Sequence, residues 1–109
     1  CVTRTELVFA LHALEAAGPW HDRIEHASVT PLELLPLCVR TGVSVVTQPG
    51  FVATRGDRYL DEADADERPH LYRLAAFLAA GVPLGLSSDA PYGETDPWAA
   101  MRAAMTRRT

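Results

Sequence analysis

Three polar residues stand where short apolar stretches of the sequence end, and their side chains suit hydrolytic chemistry. They are His26, Gln48 and Asp89, and the apolar stretches lie within 23–27, 43–47 and 82–86. Short apolar runs bounded by Gly and Pro are typical of buried strands. His and carboxylate ligands suit a catalytic zinc ion, and a carboxylate beside the activated water can take its proton. The pattern therefore predicts one shared site, provided that the strand ends meet.

These residues also have structural interpretations. Asp89 precedes Ala90-Pro91, where an Asp often bonds its own backbone in a turn. His26 and Asp89 alone are too few ligands for a metal ion. Glu25 adjoins His26, so alternation along a strand predicts that Glu25 points towards the helices as a partner for an Arg or a backbone amide. The remaining histidines are predicted to be solvated: His12, His21 and His70.

Two helices are predicted in the first half of the chain. The first has Thr3 and Glu6 as a capping box and ends at Gly18. The stretch Thr30-Pro31-Leu32-Glu33 matches a second capping box, with Pro as the first helical residue, and this helix ends at Gly42. The apolar stripe of the second helix comprises Leu34, Leu35, Cys38 and Val39.

Two more helices are predicted in the second half. A long polar connection is expected over 51–68, and its acidic run at 61–67 is expected to be a solvated loop rather than a calcium site. The third helix ends at Gly81, and the last has Asp96 as N-cap before Pro97. The apolar positions of the third helix are Leu71, Leu74, Ala75 and Leu78.

Strict alternation of helices and strands predicts the fold class. Helical crossovers favour parallel strands, and apolar rather than alternating strands indicate a sheet buried on both faces. Three strands alone would leave both sheet edges bare. A complete (β/α)8 barrel takes about 250 residues. The prediction is therefore an α/β chain forming the last three parallel strands of a partial (β/α)8 TIM barrel, with residues 1–109 as a C-terminal fragment of that domain.

Composition and charge exclude some classes of function. The 109 residues are 48% hydrophobic and carry a net charge of -4, so nucleic acid is not expected as a partner. No apolar run is long enough to span a membrane. Cys1 and Cys38 do not form a disulfide framework and are most simply free thiols, which favours a reducing, cytoplasmic location. Because the first residue is not Met, a preceding segment is expected.

Four short motifs resemble the C-terminal barrel half of the amidohydrolase superfamily, in the branch that contains N-substituted formamide deformylases. They occur in the family's order and cover almost the whole chain. They are Arg23-Ile24-Glu25-His26-Ala27, Val46-Thr47-Gln48-Pro49-Gly50-Phe51, Ser88-Asp89-Ala90-Pro91, and Asp96-Pro97-Trp98 with Arg107.

The resemblance implies roles for three residues. His26 corresponds to a metal ligand, Asp89 to a residue that contacts metal and the attacking water, and Gln48 to a position near the substrate. The other ligands of the family lie on strands one, four and five, which would precede Cys1. The implied function is hydrolysis of carbon–nitrogen bonds in amides or cyclic amides, with a divalent metal, zinc first, and a small-molecule substrate. The alternative is a non-catalytic fragment or degenerate paralogue that only binds or packs, and a homo-oligomer is left open.

Overall fold

The computed structural model describes residues 1–18 and 20–109. Five α-helices and three strands follow one another along these residues. The helices are α1 (Arg4–Ala17), α2 (Leu35–Thr41), α3 (Gly50–Glu62), α4 (Leu74–Ala80) and α5 (Pro97–Thr106). The strands are β1 (Arg23–Glu25), β2 (Ser44–Thr47) and β3 (Leu84–Leu86), and short 3-10 helices occupy Leu32–Leu34 and Arg68–His70.

The three strands form one parallel sheet in the order β1-β2-β3, as the alternation of elements predicts. Ile24 pairs with Val45, and Val45 pairs with Leu84, so these side chains form one row on the same face. Ile24 and Val45 are buried in a core that includes Leu7 of α1 and Phe77 of α4. An α/β chain of neighbouring parallel strands with helices between them is the arrangement of part of a (β/α)8 barrel.

Several predicted helix ends are confirmed by their hydrogen bonds. Thr3 and Glu6 form the capping box of α1, with Glu6 Oε2 accepting from the Thr3 amide at 2.9 Å. Gly42 and Gly81 cap α2 and α4 in the left-handed conformation. Asp96 caps α5 by accepting from the Trp98 amide at 2.9 Å. The capping chemistry visible in the sequence therefore sets these four helix boundaries.

The second predicted capping box is wrong. Thr30 is buried, and its hydroxyl donates to the carbonyl of Ala27 at 2.9 Å instead of accepting from a helix amide. The chain turns through the 3-10 helix Leu32–Leu34, and α2 begins only at Leu35. The predicted stripe of α2 is also partly wrong, since Val39 is exposed. Because the loop after β1 is buried, the Thr30 hydroxyl bonds within that loop and does not cap α2.

The polar connection predicted over 51–68 is also wrong, because α3 occupies Gly50–Glu62. Gly56 lowers the helix propensity of this segment, which also has few apolar residues, so its sequence pattern is typical of an irregular connection. Phe51 is buried on one side of α3, while Arg58 and Glu62 form an ion pair of 2.7 Å one turn apart. Tertiary burial of a narrow apolar edge therefore stabilises a helix that the sequence pattern did not indicate.

Glu25 lies on the opposite face of the sheet from the one predicted. Since Ile24 faces the helices, the alternation of the strand places Glu25 on the other face. Glu25 pairs there with Arg23, whose Nε lies 2.6 Å from Glu25 Oε1. The predicted Arg partner is thus present, but the direction was wrong because His26, the reference for the alternation, leaves the extended conformation.

Candidate functional site

The candidate residues lie at the edge of the sheet that is formed by the C-terminal ends of its strands. The His26 amide donates to the Val46 carbonyl at 2.9 Å, which continues the β1–β2 ladder one residue past the strand. The Ser87 amide donates to the Thr47 carbonyl at 2.9 Å and continues the β2–β3 ladder in the same way. Both ladders end at this edge, as parallel strands require. His26, Gln48 and Asp89 therefore follow three adjacent strands at one edge.

The backbone is left-handed at both His26 and Asp89. Their φ angles are 68° and 56°, and Ala27 follows with 46°. Non-glycine residues with positive φ are uncommon, although Asp and His adopt this conformation more readily than most. Such conformations persist where the surrounding structure holds them, and they cluster at functional sites. The left-handed turn takes each side chain out of the alternation of its strand.

The loop after His26 is buried and braced from another part of the chain. The Tyr72 amide donates to the Ser28 carbonyl at 2.8 Å, and the Thr30 amide donates to the His70 carbonyl at 3.0 Å. The Ser28 hydroxyl donates to the Tyr72 hydroxyl at 3.3 Å, and burial raises the pKa of Tyr72. These bonds hold the loop that carries the left-handed backbone of His26.

In the turn that carries Asp89, the side chain that bonds to the backbone is Ser88 and not Asp89. The Ala90 amide donates to Ser88 Oγ at 3.3 Å. The carbonyl oxygen of Asp89 accepts from the amides of Tyr92 at 2.9 Å and Gly93 at 3.1 Å. Within residues 1–18 and 20–109, the Asp89 carboxylate makes no hydrogen bond to its own turn. The half-buried carboxylate is therefore available for other partners.

Gln48 is buried inside this edge, with 2% of its surface exposed. Its Nε2 donates to Ser87 Oγ at 2.9 Å. In this conformation the amide nitrogen is committed to Ser87, and contact between Gln48 and a substrate stays a prediction. Ser87 is the residue that sequence reasoning missed; the available signal was a second hydroxyl in the Ser87-Ser88-Asp89 motif.

The donor set for a metal is incomplete in this chain. Across the described residues, no group of three or more His, Cys, Asp and Glu side chains could hold a metal ion. A catalytic zinc ion usually has three protein ligands, and this edge offers His26 and Asp89. These two donors suit a metal but do not make a complete site by themselves.

In the same described residues, no helix has the length and apolar character needed to cross a membrane.

Comparison with known proteins supports the family. A model of the amidohydrolase family matches residues 2–109. The candidate amidohydrolase YtcJ of Bacillus subtilis (strain 168) is 28% identical over 102 residues, which cover 91% of this chain and 19% of YtcJ.

Two crystal structures of uncharacterized metal-dependent hydrolases have the same fold over this region. The protein from Pyrococcus horikoshii OT3 is 32% identical with a TM-score of 0.82, over 93% of this chain and 20% of that one. The protein from Pyrococcus furiosus is 31% identical with a TM-score of 0.77, over 89% and 20%. The chain thus spans about a fifth of the length of these relatives. Because the family model matches almost every residue, this chain belongs to the amidohydrolase family.

Proposed function

We propose that this chain supplies His26 and Asp89 to the active site of a metal-dependent hydrolase of carbon–nitrogen bonds in amides or cyclic amides. The observation that carries the proposal is the placement of both residues at one edge of a parallel sheet, each with a left-handed backbone. The metal-dependent hydrolases from Pyrococcus, which share this fold, support it. The motifs around His26, Gln48 and Asp89 favour the branch resembling N-substituted formamide deformylases.

The proposed cofactor is a divalent metal, with zinc as the favoured candidate, and His26 and Asp89 are among its proposed ligands. When bound, such a metal polarises a substrate carbonyl and lowers the pKa of a water molecule. We propose that strands outside these 109 residues complete a TIM barrel and provide the remaining ligands. The small share of each relative that this chain covers supports that proposal. A cytoplasmic location is proposed from the two free thiols, Cys1 and Cys38.

In the proposed mechanism Asp89 is the proton-transfer residue. A carboxylate takes a proton from water as it attacks and returns it to the leaving nitrogen. Asp89 suits this role because its carboxylate has no partner in its own turn among the described residues. His26 would act as a metal ligand through its imidazole. A small-molecule substrate would lie at the same edge, near Gln48.

The experiment compares two variants of the full-length, metal-loaded protein that contains these 109 residues. Asp89→Asn keeps the shape of the side chain but loses its basicity, so hydrolysis of 4-nitroformanilide and dihydrouracil should fall by roughly 10²–10⁴-fold. His26→Ala removes an imidazole ligand, so metal content measured by atomic emission should fall. The two variants should differ in metal content, although Asp89→Asn is also expected to lose some metal.

Two exposed residues provide matched controls. His12→Ala removes a surface histidine on α1, and Asp57→Asn removes a surface carboxylate on α3. Neither should change turnover or metal content. Near-normal turnover in Asp89→Asn would remove Asp89 from the mechanism. Unchanged metal content in His26→Ala, with no hydrolysis by the unaltered protein, would favour the non-catalytic alternative.

A further inference from the structure

The orientation of the Gln48 amide is determined by its two neighbours. Nε2 lies 2.9 Å from Ser87 Oγ and 3.4 Å from the carbonyl oxygen of Val46. A carbonyl oxygen only accepts hydrogen bonds, so the atom facing it must be the nitrogen. Gln48 therefore joins the end of β2 to the residue that follows β3.

The same arrangement leaves a buried acceptor without a partner. Among the described residues, Gln48 Oε1 and the neighbouring Thr47 Oγ1 are buried and form no hydrogen bond. An unpaired buried acceptor is costly, and an apolar side chain of the same length would avoid that cost. The benefit of an amide at this position is therefore its donor, which holds Ser87.

Ser87 is held on two sides and leads directly into the Asp89 turn. Its amide donates to the Thr47 carbonyl at 2.9 Å, and its hydroxyl accepts from Gln48. Two residues later, the Asp89 carbonyl accepts from the Gly93 amide at 3.1 Å. A Cβ atom at Gly93 would overlap the carbonyl oxygen of Ser88, so the turn is closely packed. A shift of Ser87 would therefore be transmitted to Asp89 rather than absorbed by slack in the turn.

We propose that Gln48 and Ser87 are positioning residues for the Asp89 carboxylate. The inference rests on the proposed function, in which Asp89 transfers the proton. Gln48 holds the Ser87 hydroxyl, and Ser87 holds the start of the turn. Catalysis by a carboxylate depends on its placement, and a displacement of about 1 Å can cost 10²-fold in rate.

The first test measures amide hydrogen exchange at Tyr92 and Gly93, whose amides bond to the Asp89 carbonyl. Ser87→Ala and Gln48→Met each remove one side of the bond, so exchange at both amides should become about tenfold faster. Ser87→Thr keeps the hydroxyl and should exchange as the unaltered protein does. Ser44→Ala deletes a hydroxyl at the other end of β2 and serves as the control for any general loss of stability.

The second test is a kinetic cycle with 4-nitroformanilide in the full-length, metal-loaded protein. Ser87→Ala should lower kcat, expressed per bound metal, by about 10- to 100-fold with KM unchanged, and Ser87→Thr should restore it. In an Asp89→Asn background the further change to Ser87→Ala should have no effect, because the hydroxyl acts through the carboxylate. A purely structural role would lower both backgrounds equally.

The outcomes separate this inference from the proposed function. Near-normal turnover in Asp89→Asn would overturn the proposed proton-transfer role of Asp89, on which the positioning role rests. Unchanged exchange at Tyr92 and Gly93 in Ser87→Ala, with Asp89→Asn impaired, would overturn only the positioning role. Additive losses in the double variant would overturn it as well.

Discussion

At the scale of single residues, burial decides the chemistry of the two thiols. Cys38 lies on α2 with 1% of its surface exposed, and burial raises the pKa of its thiol from 9.0 to about 11. Cys1 is half-buried. Because the thiolate is the reactive form, burial protects Cys38 both sterically and electrostatically. Cys38 is a core residue, as its place on the apolar stripe predicts.

The first residue-scale prediction concerns thiol labelling. Iodoacetamide at pH 8 should modify Cys1 readily and Cys38 only after urea unfolds the chain, because the folded thiol stays protonated and covered. Peptide mass spectrometry of labelled protein checks this, and Cys1→Ala provides a single-thiol control. Equal labelling of both thiols in the folded chain would contradict the buried position of Cys38.

The second prediction concerns stability at alkaline pH. The folded thiol of Cys38 has the raised pKa, so its contribution to stability is complete below the unfolded value near 9.0 and is lost as pH rises towards about 11. The free energy of unfolding, from urea titrations, should therefore fall across this window. Cys38→Ala should flatten the fall, whereas Cys1→Ala should leave it unchanged. An identical pH profile for Cys38→Ala would show that the thiol is not the cause.

At the scale of elements, the capping box of α1 links sequence and stability. The amides of Val2 and Thr3 donate to Glu6 Oε2, and these bonds lower the pKa of Glu6. A lowered pKa means that the carboxylate stabilises the fold above its unfolded pKa and loses this effect as pH falls through the folded one. The capping box therefore fixes the start of α1 and also makes the stability of the fold sensitive to acid pH.

The element-scale prediction for α1 uses two threonines. Thr3→Ala should lower the free energy of unfolding by about 1 kcal/mol, because the Glu6 amide loses its acceptor. Thr5→Ala, within the first turn of the same helix, is the matched control and should be near neutral. Glu6→Gln should reduce the loss of stability at acid pH that the unaltered chain shows in urea titrations. A larger loss for Thr5→Ala than for Thr3→Ala would contradict the capping role.

A further element-scale prediction concerns the turn after β3. Gly93→Ala should lower the free energy of unfolding by about 1–3 kcal/mol, because the added Cβ overlaps the Ser88 carbonyl oxygen. Gly50→Ala at the start of α3 is the control, since its Cβ would have no neighbour within 4 Å. Chemical denaturation of both variants measures the difference. Equal stability would mean that the turn is looser than the structure indicates.

At the scale of the whole molecule, apolar surface remains exposed. Leu86 at the end of β3 is 44% exposed, and β3 is an outer strand of the sheet. Trp98, Met101 and Met105 recur along α5 and are more than half exposed. A bare strand edge beside apolar side chains favours pairing with another chain or another part of the same protein.

The whole-molecule prediction is that the 109-residue chain, expressed alone, is weakly stable or self-associates. A small core and open sheet edges supply limited stabilisation. Sedimentation at rising concentration should show masses above the 11.9 kDa of one chain, or thermal unfolding should be broad and low. A sharp monomeric transition above about 65 °C, beyond the usual mesophile range, would contradict this expectation.

The local signals of the sequence predicted much of the fold. Local capping signals set four helix ends because they act through neighbouring backbone groups. These signals are the N-caps at Thr3 and Asp96 and the left-handed glycines Gly42 and Gly81. Strand alternation with helices predicted the parallel order, since crossovers restrict the topology. The motifs containing His26 and Asp89 predicted the candidate site, whose chemical roles stay predictions.

Only the tertiary structure decided the features that depend on distant residues. Helix α3 is stabilised by burial of Phe51 rather than by its own propensity, and Thr30 bonds to a loop carbonyl because the loop is buried. Ile24 faces the helices and sets the direction of Glu25, because the left-handed break at His26 takes His26 out of the period-two pattern. The bond between Gln48 and Ser87 joins residues 39 positions apart, so only the register of β2 and β3 brings the amide and the hydroxyl together.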